Sequence, residues 1–328
     1  MNTLKSLAFL AALAVAGGFA SGCGAPAVPA SAPLAAGARS IPPSKAAILL
    51  EVRRKSHVDP SAKRKRLLYV ADSGTGSVYI YTYPQLTGAG ALSGFPSING
   101  VCTDRRGYIW ILDTSDVAVW EFAHGGSEPI NILSPGDASG NPGVGSGCSV
   151  DPKTGDLAVA GAGPGVTVFR NGQENHATYW DYNFFEMAYA GYDGAGNLFV
   201  DGSLESSFAF GLAELATGSS SLSDVTLSGG AITSPGGIAW DGKYLDIGNA
   251  GSGTIYQTDG ASILGSIATN AACQAQFYIL RDHKRVIVPD LCNASTGVYA
   301  YPAGGAAIKT VSGGQELPRG VAISVAGG

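Results

Sequence analysis

The chain has 328 residues, 48 of them glycine, with 14 % charged residues and a net charge of −5. So much glycine beside so little charge excludes a disordered polyelectrolyte or a long-helix protein, and favours tight turns between apolar strands. From Gly24 to Arg66 nine basic residues face two acidic ones, whereas from Leu67 to Gly328 twenty-three acidic residues outnumber ten basic ones, and so acidic a folded part argues against a nucleic-acid partner.

Residues 1–22 have the make-up of a secretory signal: Lys5 near the start, then the apolar run Leu7–Ala16, too short to span a bilayer. The run ends Ala20-Ser21-Gly22-Cys23, which resembles the bacterial lipobox with Ala in place of the usual Leu. The resemblance implies cleavage before Cys23 and lipidation of its thiol. Gly24 after the cysteine favours outer-membrane or surface placement. Residues 23–66 then read as a flexible tether, rich in Ala, Pro, Ser and Gly as far as Ser44. Between Arg53 and Arg66 it carries seven basic residues in fourteen, which read as a solvated linker or as a stretch suited to anionic headgroups or to the acidic domain that follows.

From Leu67 onward a repeat sets the fold. Leu67-Leu68-Tyr69-Val70-Ala71-Asp72 is the middle of a unit with no opening before it. The first complete unit runs Gly100-Val101-Cys102-Thr103-Asp104, then Tyr108–Asp113, then Val117–Trp120. Gly147–Asp151, Met187–Ala190, Gly236–Asp241 and Phe277–Leu280 open four more. Leu317-Pro318-Arg319-Gly320-Val321-Ala322-Ile323-Ser324 opens a sixth that ends at once. Short strands with Gly turns at a period of about 44 residues predict an all-β fold, a six-bladed β-propeller over 67–328. One blade is shared between the N- and C-terminal strands, which leaves no open edge.

The pattern of Gly-Val, an Asp at the first turn, and a second strand ending on Asp or Asn resembles the NHL repeat across the whole span 67–328. The match is at the level of fold, since Asp201 comes one position early and Gly161 stands where other units have Asp or Asn. In such propellers the loops before the inner strands and those after the second strands open on one face. Cys273 precedes the inner strand of the last complete unit and Cys292 follows its second strand, which places both on that face. Cys102 and Cys148 fall on inner strands of adjacent blades, one residue apart in register. Of three possible connectivities, the repeat alignment favours Cys102–Cys148 and Cys273–Cys292.

Catalytic constellations are not legible. His57, His124, His176 and His283 fall in dissimilar positions that do not converge on the channel, against a zinc centre or a Ser-His-Asp triad. Asp72, Asp113, Asp201, Asn249 and Asp290 recur at the ends of second strands, where such side chains tie down turn amides. Six-bladed gluconolactonase-type hydrolases hold calcium on Glu, Asn and Asp side chains. The counterparts here are Glu186, Asn99, Asn141 and Asn183, without the Glu-Gly-Pro opening of that family. The reading is therefore of no metal site and no cofactor, with calcium as the alternative.

The stretch Tyr179–Glu186 departs from the repeat composition. Trp180, Tyr182, Asn183, Phe184, Phe185 and Glu186 set aromatic rings beside amide and carboxylate groups, a usual surface for recognition. The competing expectation packs Trp180 and Tyr182 between blades and Phe184 and Phe185 inside the loop. The sequence thus points to a monomeric, lipid-anchored envelope propeller, a non-catalytic binding module for a protein, peptide or glycan. A calcium-dependent lactonase is the alternative.

Overall fold

The computed structural model describes residues 45–136 and 140–326. The signal segment, Cys23 and the tether as far as Ser44 lie outside them. The described residues form six antiparallel sheets, the blades of a propeller. In blade 1 the inner strand is Pro318–Ser324, from the C-terminus, and it pairs with Arg66–Asp72, followed outward by Ser77–Tyr83 and Thr87–Ser93. The register sets Leu67 opposite Ser324 and Val70 opposite Val321. Closure by a shared blade is therefore what the split repeat implied.

Blades 2 to 6 each contain four strands in chain order, from the axis outward. Their inner strands are Ile98–Thr103, Cys148–Val150, Phe184–Tyr192, Ile238–Trp240 and Tyr278–Ile279. Because blades stack face to face, both sides of the middle strands are buried; every residue of Ile109–Asp113 and of Leu157–Ala160 is inaccessible. Alternate side chains enter opposite junctions. Leu67, Tyr69 and Ala71 pack toward blade 2, whereas Leu68 and Val70 pack toward blade 6. Among the described residues an apolar cluster fills each junction between neighbouring blades, including the one that closes the ring.

In blades 2 to 5 the inner strand leads to an Asp (Asp104, Asp151, Asp193, Asp241) that shapes the turn after it. Asp104 accepts the Tyr108 amide at 2.9 Å, Asp193 the Asn197 amide at 2.8 Å, and Asp241 the Lys243 amide at 2.7 Å. Two faces result. The loop face carries the segments leading into inner strands; the turn face carries these Asp-capped turns.

The tether differs from its reading up to Arg66, because residues 45–66 pack on the propeller. Helix Lys45–Lys55 places Ile48 and Val52 on one side, four residues apart, where both are buried against blades 1 and 2. His57–Val58 adds a fifth strand to the outer edge of blade 1. Asp59 then caps a short 3₁₀ turn by accepting the Ser61 amide at 2.8 Å. Four apolar residues spaced through a basic stretch (Ile48, Val52, Val58, Ala62) were enough to anchor it, at 0–6 % exposure. The interspersed charges hid that signal from composition.

Both disulfides pair as expected. Cys102–Cys148 joins the inner strands of blades 2 and 3, with Cα atoms 5.9 Å apart; Cys273–Cys292 ties the loop into blade 6 to the end of its second strand, at 5.4 Å.

Candidate functional site

On the loop face the outer strand of blade 3, His176–Trp180, passes through Asp181–Asn183 into the inner strand of blade 4. Asp181 accepts the Asn183 amide at 3.0 Å, and the Asn183 side chain donates to Asp224 at 2.7 Å. Burial, with Asp224 close by, raises the Asp181 carboxyl above its ordinary range. The Asn183 carbonyl accepts the Glu205 amide at 2.8 Å, so the turn after the second strand of blade 4 is held to this loop.

Strand alternation sorts the aromatics. Phe184 is 1 % exposed and packs among Met187, Leu204 and Val166 between blades 3 and 4. It is a core residue and, contrary to its expected role in ligand binding, presents no surface to a ligand. The next residue, Phe185, faces solvent and meets Phe208 edge to face at 5.2 Å. Tyr182, 75 % exposed, lies flat on Trp180 with ring centroids 6.1 Å apart. Trp180 and Tyr182, with Pro142 and Pro164, line a concavity of about 550 Å³. Among the described residues the large exposed apolar residues that carry aromatic rings are Tyr182, Phe185 and Phe208; they sit on this loop and on the turn tied to it, and with Trp180 make an aromatic shelf. Phe208 escaped the sequence reading, although an aromatic among Ser206, Ser207 and Ala209 in a strand-to-strand turn was a visible signal.

The axis has a different character. The first aligned position of the inner strands holds Gly320, Gly100, Gly147, Tyr189, Gly237 and Gln276 in blades 1 to 6. A side chain on Gly100 would come within 2.6 Å of the Ser146 carbonyl, and one on Gly320 within 3.0 Å of the Gly100 backbone. Tyr189 fills the space over Gly147, where a Cβ would lie 2.7 Å from its ring. The Gln276 side chain reaches from blade 6 to the opposite wall, donating to the Cys148 carbonyl at 2.8 Å and accepting the Val101 amide at 3.2 Å. Glycine lets the strands approach, and Gln276 then closes the channel toward the loop face. What is left is a blind cavity of about 800 Å³ that opens on the turn face, with the Cys102–Cys148 disulfide in its wall.

The recurring carboxylates serve the scaffold. Asp72 accepts the Thr75 amide at 2.9 Å and the Glu316 amide at 2.8 Å, Asp201 the Gly236 amide at 2.9 Å, and Asp290 the Ala272 amide at 2.9 Å. Asp72 and Asp113 hold amides of the turn that follows them, and Asp290 accepts the Asn293 side-chain amide there; Asp72, Asp201, Asn249 and Asp290 also staple the loop leading into an inner strand. Asp201 is fully buried, and burial raises its carboxyl well above the ordinary value.

The calcium set suggested by sequence is not brought together around the axis. Asn141 lines the aromatic shelf, Asn183 turns to Asp224 at the periphery, and Asn99 lies beside Gly320. Among the described residues no three His, Cys, Asp or Glu side chains are grouped as metal ligands. The three asparagines therefore do not converge as that arrangement requires. The histidines are scattered: His57 sits on the edge strand, His124 contacts Ser324 at 2.7 Å, His176 contacts the Gly136 carbonyl at 2.9 Å, and His283 lies against Gly242.

The architecture is that of a six-bladed β-propeller with a closed loop-face channel and an aromatic shelf at its rim. No family model and no curated protein matches the sequence. Among solved structures, a chain from the crystal structure of a nidogen/laminin complex is similar over 80 % of this chain and 99 % of its own, at 16 % identity and a TM-score of 0.64. A protein of unknown function from Bacteroides caccae matches over 79 % of this chain and 99 % of its own, at 12 % identity and a TM-score of 0.59. Hydrazine synthase of Kuenenia stuttgartiensis matches over 71 % and 73 %, at 12 % identity and a TM-score of 0.52. At such identities the likeness is one of fold.

Proposed function

We propose that this protein is an exported, lipid-anchored, monomeric binding module that holds a protein or peptide partner on its aromatic shelf, without catalysis. The observation that carries the reading is the gathering of Tyr182, Phe185 and Phe208, 49–75 % exposed, on one loop and the turn tied to it, while Trp110 and Trp120 are buried. Rigid rings held by stacking lose little side-chain entropy on binding, which is why such groups anchor interfaces. Asp181, Glu205 and Asp224 flank the rings, so the fitting partner presents an apolar anchor with basic neighbours. A propeller of similar fold occurs in a complex between proteins, which favours a polypeptide over a glycan. The two disulfides suit an oxidising compartment outside the cytoplasm, in keeping with the signal segment and Cys23.

The test places a photo-crosslinking residue at Tyr182, at Phe208 and, as a control, at the exposed Leu264 of blade 5, in the full chain expressed in a bacterial envelope. A discrete protein adduct at the first two positions and not at the third is expected. It should vanish when Phe185 is also replaced by Ala. Equal labelling at all three positions would overturn the reading. Glycan-array binding lost in a Tyr182→Ala/Phe208→Ala variant, with no adduct, would replace the polypeptide by a sugar. The anchor is tested separately: incorporation of labelled palmitate should be lost in Cys23→Ser.

A further inference from the structure

The blind cavity on the turn face stands apart from the aromatic shelf, and its chemistry is opposite to that of the propeller as a whole. The span 67–328 has ten basic residues against twenty-three acidic ones, yet four of the ten (Arg105, Arg106, Lys153 and Arg281) line this one mouth. They come from the first turns of blades 2, 3 and 6, so the fold converges what the sequence separates. The lining has two carboxylates, and both are already engaged. Asp104 accepts the Tyr108 amide and pairs with Arg106 at 2.7 Å; Asp151 accepts the Lys153 amide and the Thr154 hydroxyl, each at 2.8 Å. Among the described residues Arg105, Lys153 and Arg281 form no ion pair, and all three are exposed.

Below the rim the walls turn apolar. Val101, Ile238, Phe277 and Val321 line the interior together with the Cys102–Cys148 disulfide, and Trp240 and Tyr278 stand partly exposed on the side. The floor is the amide of Gln276, whose side-chain donor and acceptor are both used by the opposite wall. A cavity of about 800 Å³ lies in the range that takes one small molecule. The basic segment Lys63–Arg66 adds positive charge on the same side: Lys63 packs against Gly125 in a turn of blade 2, and the Arg66 guanidinium lies 5.1 Å over the Tyr83 ring.

We propose that this cavity binds a small amphipathic anion: an apolar or aromatic body in the pocket, and a carboxylate, sulfonate or phosphate held at the mouth by Arg105, Lys153 and Arg281. Guanidinium groups supply paired donors to such anions, and the surrounding cations raise the local anion concentration. The apolar interior selects for the body and the rim for the charge, so a ligand with only one of the two binds poorly.

The probe pair is 8-anilino-1-naphthalenesulfonate and N-phenyl-1-naphthylamine, which share a body and differ in the sulfonate. On the folded protein the sulfonate is expected to bind saturably with one site, at least tenfold more tightly than the neutral amine. In Arg105→Gln/Lys153→Gln/Arg281→Gln the sulfonate should weaken by roughly thirtyfold or more while the amine changes less than about twofold. All three positions are exposed, so the variant should fold like the wild type. Unchanged sulfonate affinity in the triple variant would overturn the proposal, as would equal affinity for the two dyes in the wild type. If the triple variant instead loses sedimentation with phosphatidylglycerol vesicles but keeps its dye affinity, the cations serve a membrane surface and the pocket proposal fails.

Discussion

Asp246 gives the sharpest test of how this scaffold is held. It lies on the second strand of blade 5 with no solvent exposure. The Tyr301 hydroxyl is 2.9 Å from its carboxyl and 2.7 Å from that of Asp241. One hydroxyl proton cannot serve two carboxylates, so one carboxyl must keep its own proton and donate to the tyrosine oxygen. Burial first, and the nearby Asp241 charge after it, push Asp246 up to about 8. At neutral pH the chain of donors therefore runs from Asp246 through Tyr301 to Asp241, with Gln257 donating to the tyrosine oxygen at 2.9 Å.

In the unfolded chain Asp246 loses its proton near pH 3.9. Between that value and about 8 the native state binds the extra proton, so stability falls as pH rises, by up to about 1.4 kcal/mol per unit. The whole effect is on the order of 5 kcal/mol, present in full below the unfolded value and gone above the native one. Asp246→Asn keeps a donor for Tyr301 and removes the ionisation. Melting curves at pH 5, 7 and 9 should show the variant gaining on the wild type as pH rises, by roughly 10 °C at pH 9. Asp113, which burial raises to about 6, has the same sign, but it is common to both proteins and drops out of the difference. Parallel melting-temperature curves for the two proteins would refute the reasoning.

The split between neighbouring phenylalanines is equally direct. Phe184→Ala should cost about 3–5 kcal/mol in denaturant unfolding, whereas Phe185→Ala should stay within about 0.5 kcal/mol; similar losses at both would contradict the alternation described above. Removing the inter-blade disulfide with Cys102→Ala/Cys148→Ala opens a loop of 46 residues and should cost about 4 kcal/mol by chain entropy, read from the denaturation midpoint together with a slope that rises as the unfolded chain expands. A variant as stable as the wild type would mean that the inner strands of blades 2 and 3 hold their register without it.

The sequence by itself determined the ring. A repeat unit cut between Leu67–Asp72 and Leu317–Ser324 can be completed in only one way, and inner-strand alignment then brings Cys102 to Cys148 and places Asp181–Glu186 on the loop face. These features are periodic, and periodicity survives in one dimension. Tertiary structure decided which rings of the aromatic loop are buried, because alternation across a strand turns on a single residue of register at Phe184. It also decided that residues 45–66 belong to the folded unit, where four apolar residues find blades 1 and 2. The cationic mouth was visible only in fragments: Arg105 and Arg106, Lys153, and Arg281 each follow an inner strand, and nothing local reveals that those turns meet around one axis. The channel is closed by one glutamine reaching across from blade 6 to blades 2 and 3. A contact between residues so distant in the chain leaves no local trace, because it depends on how closely three glycine-lined strands approach.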